Sequence, residues 1–367
     1  MSGPPPPQTD AVRPLVSVVV VSYGTRALTL RALRLLHDSP TAVPYEVIVV
    51  DNASADGSAA AVRAAFPQAR MIELANNIGF GRAVNVAAGV ARGEWLLLLN
   101  PDTEPVGDPV SALVGYARAH PRHRVYAGRT LRPDGRDDGR SVFALPSLHG
   151  SLCFATGLST VARRWSWSNP EELPRLDRRE PAVVPAASGC LLLIEHRLFD
   201  ALGGFTPDYF MYSEDADFCA RAARLGAAPV LVPDARVRHR GGAASTSTGK
   251  LLMLLRGKAT YLRLRWPARR ARTGRALLLA GVALRAALPT GRSRAPWRTA
   301  WQRRHDWLAG WPAPADETGV RTTTGSGLDA ATRIGPDTAS GAGPGTPGHP
   351  ETVSGRRAGR VADRHPD

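Results

Sequence analysis

Only three cysteines occur in the 367 residues, Cys153, Cys190 and Cys219, and no two of them form a CxxC pair. Zinc knots built on paired thiolates and the disulfide frameworks of small secreted domains are therefore excluded, and a reducing cytoplasm suits the chain best. The amino terminus also lacks a basic segment leading into an apolar one; Met1 to Pro14 is proline-rich instead, so nothing there reads as a signal peptide. Long hydrophobic runs are missing as well. The longest, Ala276 to Leu288, is broken by Arg285 and falls short of the ~20 residues that span a bilayer. Acidic residues are scarce in one place above all: between Lys250 and Gly310, Asp306 alone faces 15 Lys and Arg, so nearly all of the net charge of +15 sits there. No internal repeat is present.

What is present begins with apolar runs. Val16 to Tyr23 is continuous and β-branched, which suits a strand buried on both faces of a parallel sheet. Tyr45 to Asp51, Ala69 to Leu74 and Glu94 to Asn100 repeat the pattern, separated by Ala-, Leu- and Arg-rich stretches of helical length. Alternating β and α elements predict an α/β sheet with crossover helices. Asp56 is a candidate helix N-cap ahead of residues 58–65. The middle, from about Gly128 to Pro181, shows no clear periodicity and is expected to be an irregular insertion. A strand-like stretch then runs from Ala182 to Glu195, a helix is expected from Asp215 to Leu225, and short strands over Pro229 to Val232 and Arg236 to His239. From Ala313 onward Gly, Thr, Pro and Ser dominate, so that tail is expected to be disordered.

Each early strand ends in polar residues: Ser22-Tyr23-Gly24, Asp51-Asn52-Ala53-Ser54, Asn76-Asn77-Ile78-Gly79 and Asn100-Pro101-Asp102. Ligands of open α/β sheets bind beyond the carboxyl ends of the strands, so these clusters are expected to meet in one crevice. In their order and spacing, the segments VSVVVVSYGT, YEVIVVDNASADGS, NNIGF, LLLLNPDT, ASGCLLLI, GGF, FMYSEDADFCARAARLG and ARVRHRGG make the chain resemble the glycosyltransferase family 2 enzymes of GT-A fold, especially their bacterial rhamnosyltransferase-like branch. The resemblance covers roughly residues 15–242.

It implies that the first half binds a nucleotide-diphospho-sugar. Ser22, Tyr23, Asp51, Asn77, Gly79, Asn100 and Asp102 are then the expected donor-side residues, and a carboxylate such as Asp51 can accept the imide N–H of uracil or thymine. Asp51-Asn52 is equally good as a turn initiator. Asn100-Pro101-Asp102 stands where the family carries its DxD motif, with Asn in place of the first carboxylate. The resemblance thus implies a divalent cation, Mg2+ or Mn2+, on Asp102, with His239 as a second metal or phosphate contact. An inverting transfer needs one carboxylate to take the acceptor hydroxyl proton. The resemblance puts that base at the Glu214-Asp215 pair, with Asp215 preferred and Asp217 left to cap the following helix. Ser188, Gly189, Gly204 and Phe205 are expected to shape the acceptor side, whereas Cys190 is assigned no chemistry. Trp165 and Trp167 fit packing, a sugar platform or an interfacial anchor.

Four regions follow: a disordered stretch 1–14, a catalytic domain 15–242, a basic helical region 243–312 and a disordered tail 313–367. Arg, Leu and Trp alternate in the basic region, as in helices that lie on an anionic membrane, although a packing subdomain with a solvated basic face has the same composition. Nucleic acid is not an expected partner, because no docking element or base-stacking surface is evident. The expectation is a cytoplasmic enzyme, peripheral at the inner face of the membrane, with a saccharide or lipid-linked saccharide as acceptor. By resemblance its donor is dTDP-rhamnose, with UDP-galactofuranose, UDP-hexose or GDP-mannose as alternatives. The non-enzymatic alternatives are a lapsed nucleotide-sugar-binding protein and, on the charge of the basic block alone, a nucleic-acid-binding one.

Overall fold

The computed structural model describes residues 13–162, 165–239, 247–288, 294–313 and 320–323. Residues 1–12 and most of the segment from 313 onward, where disorder is expected, lie outside the described residues. Strands β1 (Val16–Ser22), β2 (Tyr45–Asp51), β3 (Arg70–Leu74) and β4 (Trp95–Leu99) alternate with helices α1 (Arg26–His37), α2 (Ser58–Ala65) and α3 (Phe80–Ala88). Then come β5 (Thr103–Val106), α4 (Pro109–Ala119), β6 (Val125–Leu131), β7 (Val142–Phe143), α5 (Leu148–Ala155) and α6 (Leu158–Val161). After β8 (Ala182–Val183), β9 (Ala186–Ala187) and β10 (Leu191–Glu195) follow α7 (His196–Ala201), α8 (Glu214–Arg224) and β11 (Val230–His239). The chain continues with α9 (Ser247–Arg265), α10 (Ala268–Ala287), α11 (Arg294–Gln302), α12 (Arg304–Leu308) and β12 (Val320–Thr323).

One sheet runs in the order β12-β3-β2-β1-β4-β10-β6-β11-β5, with β8 also on β11. Strand β1 pairs in parallel with both β2 and β4, as the continuous apolar run requires. All seven of its residues are buried. Val16, Val18 and Val20 pack with Leu33 and Leu36 of α1 and Val62 of α2, while Val19 and Val21 pack with Ala83, Val84 and Ala87 of α3. Asp56 accepts from the backbone N–H groups of Ser58 (3.1 Å) and Arg26 (2.9 Å), so it holds the starts of α2 and α1 together.

Four segments differ from their sequence reading. Ala182 to Glu195 is not one strand but three, interrupted by residues 184–185 and by Ser188-Gly189-Cys190. Conversely, the two short strands expected near the end of the domain form the single β11, whose register on β6 shifts between Val232 and Arg236. Pro233 lies in that interval, and a residue with no N–H to donate belongs at a bulge. The insertion is more regular than expected, since β6 extends to Leu131 and α5 is capped by the Ser147 hydroxyl accepting from Gly150 N at 2.9 Å. Within the expected tail, the β-branched run of β12 pairs antiparallel with β3 at the sheet edge.

The basic helices pack on the catalytic part. A Cβ on Gly257 would stand 2.3 Å from the Tyr212 carbonyl oxygen, and one on Gly281 would stand 2.3 Å from the Phe154 ring, so α9 and α10 approach their neighbours closely. Lys258 pairs with Glu171 at 2.8 Å, Arg265 with Asp217, and the Arg285 guanidinium lies 3.9 Å from the Phe154 ring centroid. These three of the 15 cations that read as a surface signal are therefore used internally. Apolar and basic residues are also mixed around α9 and α10 rather than sorted to opposite faces, as a helix lying in a membrane surface would need. Among the described residues no helix is long and apolar enough to cross a membrane.

Candidate active site

The turns that follow β1, β2 and β3 are tied into one floor. Gly24 N donates to Ser54 Oγ at 2.9 Å, and Asn52 N to the Ser22 carbonyl at 2.8 Å. The Asn52 side chain then spans to the next turn, donating to Asn77 Oδ1 (2.9 Å) and accepting from Ile78 N (2.9 Å). Asp51 ends β2, 4% exposed, and only one of its carboxylate oxygens is engaged, by Ser54 N at 3.1 Å. The other, Oδ1, is buried without a hydrogen-bond partner. Burial pushes the Asp51 carboxyl above its ordinary value, outweighing the bonds from Ser54. Such an orphan acceptor costs about 1–3 kcal/mol, which a ligand N–H would recover. Ala53 next to it has φ 66°, a strained conformation of the kind that collects at binding sites.

The other residues of this group play more structural parts. The Ser22 hydroxyl is buried in a cluster with Thr25 and Thr29 at 3.1 and 3.0 Å, whereas Tyr23 stands exposed. Asn77 Oδ1 is taken by Asn52 and by Gly79 N. Gly79, at φ 88°, is required by the chain itself: a Cβ would stand 2.1 Å from the Phe210 carbonyl oxygen, and Phe80 N donates to that same oxygen at 3.0 Å. The loop before α8 is thereby fastened over the turn that follows β3.

The next strands bring a second group together. Strand β5 pairs with β11 so that His239 lies opposite Thr103, one residue from Asp102. His239 Nε2 stands 3.2 Å from Asp102 Oδ2, and its Nδ1 stands 3.7 Å from Asp138 Oδ2. Hydrogen bonding and charge from the two carboxylates raise the His239 imidazole to about 9, against its burial. Asp138 arrives because the chain after β6 folds back, Asp138 N donating to the Thr130 carbonyl at 3.1 Å. Its burial favours the neutral acid, but the nearby His239 imidazole and the bonds from Thr130 and Arg140 N to its other oxygen win and hold it below the usual carboxylate range. Nothing in the sequence marked Asp138, since Asp-Gly-Arg-Asp-Asp-Gly reads as a turn. Asn100 Nδ2 donates to Cys190 Sγ at 3.2 Å, so this first position of the motif offers an amide where a carboxylate would offer charge.

The third group is at the start of α8. Tyr212 and Ser213 enter it at φ 65° and 73°, and Glu214 and Asp215 occupy its first turn. Glu214 is 5% exposed, with Oε2 buried and unpartnered. Asp215 is partly exposed and accepts from Ala216 N at 2.8 Å and from the Gly189 backbone. Burial raises both carboxyls, and the adjacent Asp215 charge raises Glu214 further. Asp215, held by N–H donors, is the member that keeps its charge, and Glu214 takes the proton. Asp217 is no helix cap: fully buried, it accepts from Thr206 Oγ1 (2.7 Å), Tyr209 OH (3.2 Å), Arg221 Nε (2.9 Å) and Arg265.

Between these groups lies Cys190. Burial pushes its thiol up to about 12, with the negative charges of Asp102, Asp215 and Asp138 adding to that rise, and Asn100 bonds its sulfur while the preceding Gly189 backbone bonds Asp215. The thiol is inert as a nucleophile at that value. Ser188 Oγ bonds Cys190 Sγ at 3.2 Å, and a Cβ on Gly189 would press on the Phe80 ring at 3.2 Å. Gly204 and Phe205 do not line the crevice. Phe205 is fully buried against Phe199 and Phe218, and Gly204, at φ 70°, leaves room for the Asn85 side chain that bonds both backbone groups of Phe205. Among the described residues no three His, Cys, Asp or Glu side chains are placed to hold a metal by themselves.

Comparison with known proteins bears on this geometry. Residues 17–203 match the family described as Glycosyl transferase family 2. An N-acetylglucosaminyl-diphospho-decaprenol L-rhamnosyltransferase of Mycobacterium tuberculosis is 30% identical over 266 residues, 68% of this chain and 83% of that protein. The rhamnosyltransferase WbbL of Escherichia coli is 25% identical, over 61% of this chain and 83% of its own. A mannosyltransferase of Pyrobaculum calidifontis, solved with GDP-Man and Mn2+, has the same fold at a TM-score of 0.50 and 19% identity, covering 82% of this chain and 86% of that one.

Proposed function

The chain belongs to glycosyl transferase family 2 and is a glycosyltransferase of GT-A fold acting on a nucleotide sugar; from that premise we propose an inverting enzyme that moves rhamnose from dTDP-rhamnose to a lipid-linked saccharide, with residues 15–242 as its catalytic domain. The pairing of His239 with Asp102 and Asp138, with Cys190 bonded by Asn100 on one side and Asp215 bonded to the neighbouring Gly189 backbone on the other, carries the mechanism. Asp51 accepts the base imide N–H through its orphan oxygen. Asp102 is the residue that would hold a Mg2+ or Mn2+ ion together with diphosphate oxygens, and His239 would join it only on giving up the proton that Asp102 and Asp138 hold on its imidazole. A cation so held neutralises the charge of the departing diphosphate. Asp215 takes the acceptor hydroxyl proton as that oxygen bonds to the anomeric carbon, and the bond from that carbon to the phosphate oxygen breaks with its electron pair leaving on the diphosphate. The choice of rhamnose is supported by the two relatives named as rhamnosyltransferases.

Asp102→Ala is expected to keep the fold and lose metal-dependent nucleotide binding, by roughly 10- to 100-fold in affinity as for other metal-shell losses. A thermal-shift series with dTDP, UDP and GDP sugars, with and without Mn2+, measures this, because a ligand of the native state raises its apparent stability. The parent is expected to respond most to dTDP-rhamnose with Mn2+. An undiminished metal response in Asp102→Ala removes the assignment, and a larger response to another nucleotide removes the donor.

We further propose that the enzyme works at an anionic membrane surface on the inner face of the cell membrane. Support comes from the segment between Leu148 and Trp167, where Leu148, Leu152, Leu158, Val161, Trp165 and Trp167 all stand exposed, Val161 at 89% and Trp165 at 61%. Contiguous apolar patches of this kind mark interaction sites, and tryptophans with neighbouring basic helices suit a headgroup layer. Full-length protein is expected to sediment with vesicles containing phosphatidylglycerol, and Val161→Ser with Trp165→Ser to lower that several-fold. Equal binding by the double variant, or no preference over neutral vesicles, overturns the proposal.

A further inference from the structure

Past the end of β6, residues 129–140 and 172–179 enclose an open cavity of about 890 Å³. Six arginines line it: Arg129, Arg132, Arg136, Arg140, Arg178 and Arg179. Four acids line it too, and the carboxylates of three of them, Asp137, Asp138 and Asp177, are engaged elsewhere or locally. Asp137 pairs with Arg129 at 2.6 Å and lies 3.8 Å from Arg178. Asp138 is held by Thr130 and faces His239, and Asp177 Oδ1 accepts from the Arg179 backbone at 2.9 Å. Glu172 receives Arg178 Nη2 on its carbonyl at 2.8 Å. Among the described residues, Arg132, Arg136, Arg140 and Arg179 have no carboxylate at ion-pair distance, and Arg178 Nε is buried without a hydrogen-bond partner. Guanidinium groups gathered without counter-charge repel one another, and their planar donor forks match phosphate oxygens.

Sheet order says which phosphate. The orphan oxygen of Asp51 lies at the end of β2, four strands from β6, whereas Asp102 leads into β5, which pairs with β11 beside β6, so the arginines at and past the end of β6 adjoin the Asp102 end of the site and not the Asp51 end. A donor that extends from Asp51 to Asp102 has its diphosphate at Asp102 and does not need a second anion site further along. Asp138 belongs to both places, since it lines the cavity and faces His239. We propose that this cavity binds the phosphate or diphosphate of the acceptor, a saccharide joined through that group to a lipid. The inference rests on the reading of Asp102 and Asp215 as the transfer site.

The test is calorimetry on the full chain, with N-acetylglucosamine linked through diphosphate to a short polyprenol as probe, and with dTDP plus Mn2+ as the donor-side probe. Arg136→Ala combined with Arg179→Ala is expected to weaken the lipid-diphosphate probe at least ten-fold and dTDP less than two-fold. Both side chains are exposed, so the fold is expected to survive, and an unchanged melting midpoint verifies it. Loss of dTDP affinity with unchanged acceptor affinity assigns the arginines to the donor and overturns the proposal, as does no change in either. Should the parent bind the probe through these arginines yet transfer no sugar, the cavity assignment stands and the transfer reading fails.

Discussion

Asp215→Asn is expected to lose 10²- to 10⁴-fold of its transfer rate, about 3–5 kcal/mol in barrier, while binding donor nearly as well as the parent. The amide keeps the size of the side chain and still accepts from Ala216 N, but it cannot take a proton. Glu214→Gln is expected to be much milder, because the buried Glu214 holds its proton while Asp215 is charged. The same assignment fixes a pH dependence. Burial raises the folded Asp215 carboxyl, so the active, ionised form is lost as pH falls through a value above the ~4 of an exposed aspartate. Turnover in the parent should show that acid limb, and the residual turnover of Asp215→Asn should lack it. Near-normal turnover in Asp215→Asn with a dead Glu214→Gln would move the role to the glutamate.

Two residues along, the same helix carries the fully buried Asp217, whose carboxylate takes bonds from Thr206, Tyr209, Arg221 and Arg265. Asp217→Ala is expected to destabilise the fold by about 3–5 kcal/mol, because it leaves Arg221 and Arg265 without their shared counter-charge. Chemical denaturation followed by fluorescence measures it, with a fall in melting temperature on the order of 10 °C. Arg265 belongs to α9 and Tyr209 to the loop before α8, so the variant should also loosen the basic helices from the catalytic part. A loss below 1 kcal/mol would mean that Asp217 is a dispensable ion pair.

How much of this the sequence could disclose depended on whether a residue's role was local. Buried parallel strands must be apolar throughout, so β1, β2 and β4 announced themselves, and the polar turns behind β1, β2 and β3 are bonded to one another. Asp138 could not be found that way, because a fold-back stabilised by Thr130 brings it to His239. Gly204-Phe205 was misplaced for the opposite reason. A Gly-Gly-Phe turn looks the same whether its aromatic faces a ligand or the core, and here Asn85 and Phe199 settle it for the core. In the basic region a count of arginines cannot tell that Lys258, Arg265 and Arg285 point inward to Glu171, Asp217 and Phe154, which is why its composition left a membrane surface and a packing subdomain both open.

One measurement addresses the central claim directly: transfer by the purified full-length chain from dTDP-rhamnose, with Mg2+ or Mn2+ present, to N-acetylglucosamine carried on a polyprenyl diphosphate, with the product's anomeric configuration assigned by NMR. A rhamnosylated lipid product whose anomeric centre is inverted relative to the donor, and whose formation collapses in Asp215→Asn, is the predicted result. Retention of configuration, or equal product from Asp215→Asn and the parent, would contradict a single displacement with Asp215 as its base.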